Sequence, residues 1–160
     1  MSGELFVPGD FAVPDGLVAD EGFRLARLGP QHNEADYAAW TGSINHIRAT
    51  PGFIGRNWPH PMSLEDNLRD LEQHAQDAGE RRGFTYTVLG ADSDEVIGCV
   101  YIYPPKGQGP DGGTEGVLGA TVRSWVRADR AQLDRVVYDA VLAWLERDWP
   151  FDSIEYAPRA

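Results

Sequence analysis

A single run of apolar residues constrains this chain most: Leu133, Val136, Val137, Ala140, Val141, Trp144 and Leu145. Their spacing of three and four residues over four turns is that of a helix with one face in a core, and it predicts a helix over 131–148. Asp129 is placed to cap it, with Gln132 three residues later, and Trp149-Pro150 stops it. Residues 120–127 before the helix and 152–157 after it read as strands, and two further extended segments lie upstream at 84–89 and 96–103. The C-terminal half therefore has the order strand, strand, strand, helix, strand.

The segments differ in how they are buried. Phe84-Thr-Tyr-Thr-Val-Leu alternates apolar residues with threonine, so one face meets a core. Val96-Ile-Gly-Cys-Val-Tyr-Ile-Tyr is apolar on both faces, which predicts a central strand covered on both sides, and Gly98 within it marks a bulge or a close backbone approach. In the strand over 120–127, Thr121, Arg123, Trp125 and Arg127 share one face. Residues 104–117, rich in glycine and proline, are expected to form a long hairpin loop.

In the N-terminal half, residues 1–21 read as an irregular arm laid across the domain, with Leu5, Phe6, Phe11 and Leu17 seeking burial. A first strand follows over 22–28. Gly29-Pro30 opens a helix with Tyr37, Trp40, Ile44 and Ile47 as its buried stripe, ended by Thr50-Pro-Gly. Residues 49–62 form a loop rich in aromatic side chains. Ser63-Leu-Glu-Asp66 caps a second helix whose stripe is Leu64, Leu68, Leu71, Ala75 and Ala78.

The length suits one domain over 1–160. Acidic residues outnumber basic ones 25 to 14, a formal charge of -11. That field argues against nucleic acid and anionic membranes as partners and favours a cationic or neutral small molecule. Cys99, the sole cysteine, sits in the most apolar strand and reads as a buried, inert thiol. With no leader-like start, no apolar run of spanning length and no metal-ligand spacing, a cytoplasmic, metal-free protein is expected.

The strand, two helices, three strands, helix and strand over residues 22–157 resemble the core of the GNAT (general N-acetyltransferase) superfamily. The resemblance implies an α/β (α+β) fold with a mixed, mainly antiparallel sheet flanked by helices. It also implies transfer of an acetyl group from acetyl-CoA to an amine. In the family the pantetheine arm lies where the strand before the pyrophosphate turn splays from the strand after the helix. By position Trp125, Val126 and Arg127 would meet it, and Arg127 and Arg130 would hold phosphate. The first two helices and their loop would line the acceptor side, placing His46, Trp58 and His60 near the substrate.

The turn departs from the family pattern, Arg/Gln-x-x-Gly-x-Gly/Ala. No glycine follows Gly119, and Asp129 and Asp134 stand where phosphate would sit. The family often takes a tyrosine acid from a helix beyond the strand matched by 152–157; none is expected within 160 residues. No carboxylate lies inside the strand over 120–127 to act as base. His60, rigid between two prolines, and Tyr103, on the central strand, remain as catalytic candidates. For Tyr101 and Tyr103 plain core packing is an equal reading. His46 near the end of the first helix equally reads as a dipole-stabilising cation, and His32 and His74 read as solvent-facing. Two functions stay open: an acetyltransferase, or a non-catalytic module of the same fold that binds a partner or small ligand. An unrelated ligand-binding α+β domain is a third. A sheet edge near the C-terminus predicts coverage by the arm or by a second copy in a homodimer.

Overall fold

Covering the central strand on both faces organises the whole molecule. The computed structural model describes residues 6–19, 21–105 and 118–159. Its elements are β1 (Gly16–Val18), β2 (Phe23–Arg27), α1 (Asn33–Thr41), α2 (Ile44–Arg48), α3 (Leu64–Gly79), β3 (Phe84–Gly90), β4 (Val96–Tyr103), β5 (Gly119–Val126), α4 (Asp134–Asp148) and β6 (Ser153–Tyr156). The six strands lie in sequence order in one sheet, antiparallel except for the parallel pair β5 and β6.

Alternation along the strands sends two sets of side chains to opposite faces. On one face α4 lays Val137, Val141, Trp144 and Leu145 over Tyr86, Val88, Val100 and Val122, and Phe6 and Val7 of the arm join that core. Trp144 meets Tyr86 edge to face at 5.1 Å. On the other face Trp40, Ile47, Phe53 and Leu71 pack over Leu89, Cys99 and Trp125. The sheet is mainly antiparallel with helices on both sides, as expected.

Gly98 does both things its position suggested. The β3–β4 register slips between Val88 and Leu89, and the bulge turns Ile97 toward the α4 face while Val96 and Cys99 keep to the other. A Cβ on Gly98 would lie 2.0 Å from the Trp125 carbonyl oxygen. The two backbones approach too closely for any side chain.

Several expectations need correction. Within the arm, Gly16–Val18 is a strand that pairs with β2, so this part of the arm extends the sheet at the edge opposite β6. The first helix is two helices, because Ser43 leaves helical geometry (φ -135°, ψ 23°). Residues Ala128–Leu133 form a 3-10 turn and α4 starts at Asp134, so Asp129 caps nothing; its carboxylate binds Arg127. Leu64 is exposed, and α3 buries Asn67 and Leu71. His32 accepts from the Gly29 amide and His74 faces inward, so neither is simply solvent-facing. The loop expected over 104–117 lies almost wholly outside the described residues, as does Leu5. The Ser63 cap holds, its hydroxyl accepting from the Asp66 amide at 3.0 Å. Among the described residues no helix is long and apolar enough to cross a membrane.

Gly98→Ala is expected to destabilise the protein by roughly 3 kcal/mol or more, since backbone must move to admit a methyl group. Chemical denaturation checks it; a loss under about 1 kcal/mol would show that β4 and β5 separate at little cost.

Candidate functional site

A cavity of about 270 Å³ opens on the sheet face under α1 and α3. Its floor is Tyr101 and Tyr103 of β4 with Arg123 of β5, and α1 contributes Asp36. Asn67, Asp70, Leu71 and His74 come from α3, and Phe53, Arg56 and Trp58 from the loop between α2 and α3. The inward residues of α3 recur at i, i+4 and i+7, which is why they share one face.

Asn67 ties the two helices together. Its amide donates to Asp36 Oδ2 at 3.2 Å and to Asn33 Oδ1 at 2.9 Å, while its carbonyl accepts from Trp40 Nε1 at 3.0 Å. The loop is fastened by Tyr37 donating to the Met62 carbonyl and Arg48 to the Pro59 carbonyl. Trp58 lies 5.4 Å from Trp40 and 6.2 Å from Tyr101, ring centre to ring centre, forming an aromatic wall. Gly52, with φ of 100°, lets the loop close on β5, where its carbonyl accepts from Arg123 Nε at 3.1 Å.

The electrostatics of the cavity are uneven. Burial pushes the Asp36 carboxyl up to about 6, with Asn67 opposing and the Asp70 charge adding to the rise. The other Asp36 oxygen takes no hydrogen bond from a described residue. Burial also lowers His74 and holds it neutral, against the pull of Asp77 and Asp70. His74 Nδ1 lies 2.8 Å from the Tyr103 hydroxyl, which donates to Asp77 Oδ2. Burial, helped by that bond, raises the Tyr103 phenol well above its ordinary value. Burial alone would raise Asp77, but bonds from Tyr103, Gln73 and Arg82 outweigh it and hold that carboxylate low.

A second region lies where β5 and β6 part. Their pairing ends at Val122 and Tyr156, leaving Arg123–Val126 without a strand on that side among the described residues. This splay adjoins the first turn of α4. Arg159 crosses it, with its side chain only 3% exposed. The guanidinium donates to both Asp134 oxygens (2.7 and 3.3 Å), to the Ser124 carbonyl (2.7 Å) and to the Pro51 carbonyl (3.2 Å). It also stacks near Tyr138 and Tyr156. At the turn, Arg127 binds Asp129 and Glu95, and Arg130 binds Glu95 at 2.8 Å. Its bonds to Asp129 first, and then Glu95, hold the Arg127 proton more tightly. The Ala128 amide donates to the Ser43 hydroxyl at 2.8 Å.

The structure gathers some of the residues singled out from sequence and separates others. Trp58 and Tyr103 line the cavity. His60 is exposed, its Nδ1 3.0 Å from the Pro61 carbonyl, and His46 is half-buried in the last turn of α2; neither lines the cavity. Trp125 is buried against Trp58 and donates to the Tyr101 hydroxyl, so its side chain serves the core. Val126 and Arg127 flank the start of the turn, and Arg130 lies within it. Sequence reasoning missed Asp36, Asp70, His74, Glu95, Arg123 and Arg159 as site residues. For Asp36 a signal existed, four residues before Trp40 on the buried stripe; for Arg159, a contact with Asp134 across 25 positions, none did.

A six-stranded mixed sheet with this order and a splay before its parallel crossover is the GNAT fold, and known structures agree. The microcin C7 self-immunity acetyltransferase MccE, solved with acetyl-CoA and AMP, superposes with a TM-score of 0.59 at 15% identity over 84% of this chain and 66% of its own. FdhC, a nucleotide-linked sugar GNAT, gives 0.60 at 14% identity over 90% and 72%. The ribosomal-protein-S5-alanine acetyltransferase of Vibrio fischeri gives 0.55 at 12% identity over 79% and 65%. The chain thus spans about two thirds of the length of these structures. No family model matches the sequence, and no curated protein matches it.

Asp36 sets a pH dependence. Its native pKa of about 6 lies above the ordinary 3.8, so the folded state holds the proton more tightly than the unfolded chain. Stability falls as pH rises from about 4 to about 6, by up to about 3 kcal/mol, and stays lower above. Asp36→Asn is expected to be more stable than wild type at pH 7 and to lose that advantage near pH 4. Denaturant midpoints at the two pH values check this, and an equal difference at both would refute it.

Proposed function

We propose that this protein transfers an acetyl group from acetyl-CoA to an amine held in the aromatic cavity. One observation carries the reading: the cavity, with a carboxyl of pKa about 6, abuts the splayed edge of β5, the strand that meets pantetheine in the GNAT pattern. A carboxyl that titrates near neutrality in a cleft suits a weak general base for a bound ammonium. Positioning supplies the rest. The backbone edge over 123–126, which no strand pairs among the described residues, fits a pantetheine arm once Arg159 leaves Ser124, and Arg127 and Arg130 are the phosphate partners nearest the turn. Acetyl-CoA supplies the activated acyl group.

The side chains as they stand do not accept that ligand. Arg159 lies across the splay, Glu95 and Asp129 neutralise the two arginines, and Ser43 occupies the Ala128 amide. Entry of the cofactor requires Arg159 to leave Ser124 and Glu95 to release its partners. These same contacts favour a second reading, a GNAT-fold binding module that keeps the cavity and has lost catalysis.

Calorimetric titration of acetyl-CoA separates the two. For a transferase, wild type binds weakly. Arg159→Ala or Glu95→Gln binds about ten-fold tighter or more, because a charge-assisted contact that competes with the ligand is gone. Glu95 is half-exposed, so its variant folds even if the Arg159 variant does not. No heat in any of the three chains refutes acetyl transfer and leaves the binding module.

A further inference from the structure

The cavity keeps its charges apart in a way that defines its ligand. At one end are the carboxylates Asp36 and Asp70, close enough for the Asp70 charge to act on Asp36. At the other are Arg56 and Arg123. Arg123 donates only its Nε–H to a described residue, the Gly52 carbonyl, and neither guanidinium has a carboxylate partner among the described residues. They lie near enough to repel, and burial together with Arg56 makes Arg123 easier to deprotonate, with Glu155 opposing from the strand beside it. Burial lowers the pKa of His74, one turn after Asp70 on α3, and so favours its neutral form.

The spacing follows from the sheet. Arg123 is the cross-strand neighbour of Tyr101, and Tyr101 that of Thr85, whose hydroxyl meets His74 of α3. Arg123 and His74 are therefore about two strand spacings apart, roughly 10 Å, and Asp70 lies one helical turn before His74 on α3. Trp58 and Tyr101 line the stretch between, an apolar wall for methylene groups. Asp36 is buried and Arg123 partly so, and among the described residues neither has an ion-pair partner, so an opposite charge on a ligand would offset the cost of burying each. Exposed Asp70 and Arg56 add to the field at the two ends.

We propose that the cavity binds a small dipolar molecule, an ω-amino acid or a basic amino acid, with its carboxylate on Arg56 and Arg123 and its distal ammonium on Asp36 and Asp70. A single cation satisfies only half of this arrangement, and a single anion the other half. This rests on the proposed function and deepens it by naming its acceptor class, since the distal ammonium held on Asp36 is the amine whose proton that carboxyl would take. The binding claim itself uses no acetyl-CoA.

The test is titration of the full chain, without acetyl-CoA, with ε-aminohexanoate, hexanoate and hexylamine, read by calorimetry. In wild type the dipolar probe should bind about ten-fold or more tighter than either singly charged analogue, the fold-change of one charge-assisted hydrogen bond. Arg56 and Asp70 are both exposed, so their variants retain the fold. Arg56→Ala should erase the advantage over hexylamine, and Asp70→Asn the advantage over hexanoate. Equal affinity for ε-aminohexanoate and hexylamine in wild type, an unchanged advantage in Arg56→Ala, or no binding of any probe overturns the proposal. Binding of the dipolar probe beside a silent acetyl-CoA titration overturns only acetyl transfer.

Discussion

Everything in this molecule follows from a strand that cannot face water on either side. With β4 apolar on both faces, one helical layer is supplied by α1 to α3, between β2 and β3, and the other by α4, the crossover between β5 and β6. Burying the sheet twice also means that each polar group on it needs a partner in the covering layer. Trp125 finds Tyr101 and Ser124 finds Tyr156, while the buried Thr87 hydroxyl of β3 finds no partner among the described residues. The cavity lies where that covering is incomplete, between α1, α3 and the aromatic loop.

The two halves of the candidate site use the same residue types to opposite effect. Around the turn, Arg127, Arg130 and Arg159 are each answered by a carboxylate within the chain, so the region is electrostatically quiet. In the cavity, Arg56 and Arg123 have no such answer among the described residues, and Asp36 is held against its preference for water. What sets the proposed binding surface apart from the structural one is not composition but which charges already have partners within the described residues.

Much of the fold was legible in the sequence because its signals are periodic. The α4 stripe, the two-faced β4 and the Ser63 cap all concern residues within a few positions of each other. What escaped was set by distant partners. The break between α1 and α2 depends on a serine whose hydroxyl serves an amide 85 residues away. The 3-10 stretch at 128–133 hides inside an apolar pattern that continues smoothly into α4. The site was harder still. Histidines drew attention by type, yet His46 and His60 point elsewhere, whereas His74 and Asp36 matter because of the stripes they interrupt. Local spacing reports which face a residue occupies, but not whether its charge is met across the fold.

The Ser43 hydroxyl on the Ala128 amide has a mechanical consequence. It pins the break between α1 and α2 to the start of the β5–α4 turn. The inner face of α1 carries Asp36 into the cavity, while its outer face, through Ala35, Ala38 and Ala39, looks onto the turn. One short helix is thus a shared wall with a rigid strut at its end. The amide that a ligand at the turn would take is the one that now holds the end of this shared wall, through a single hydroxyl group.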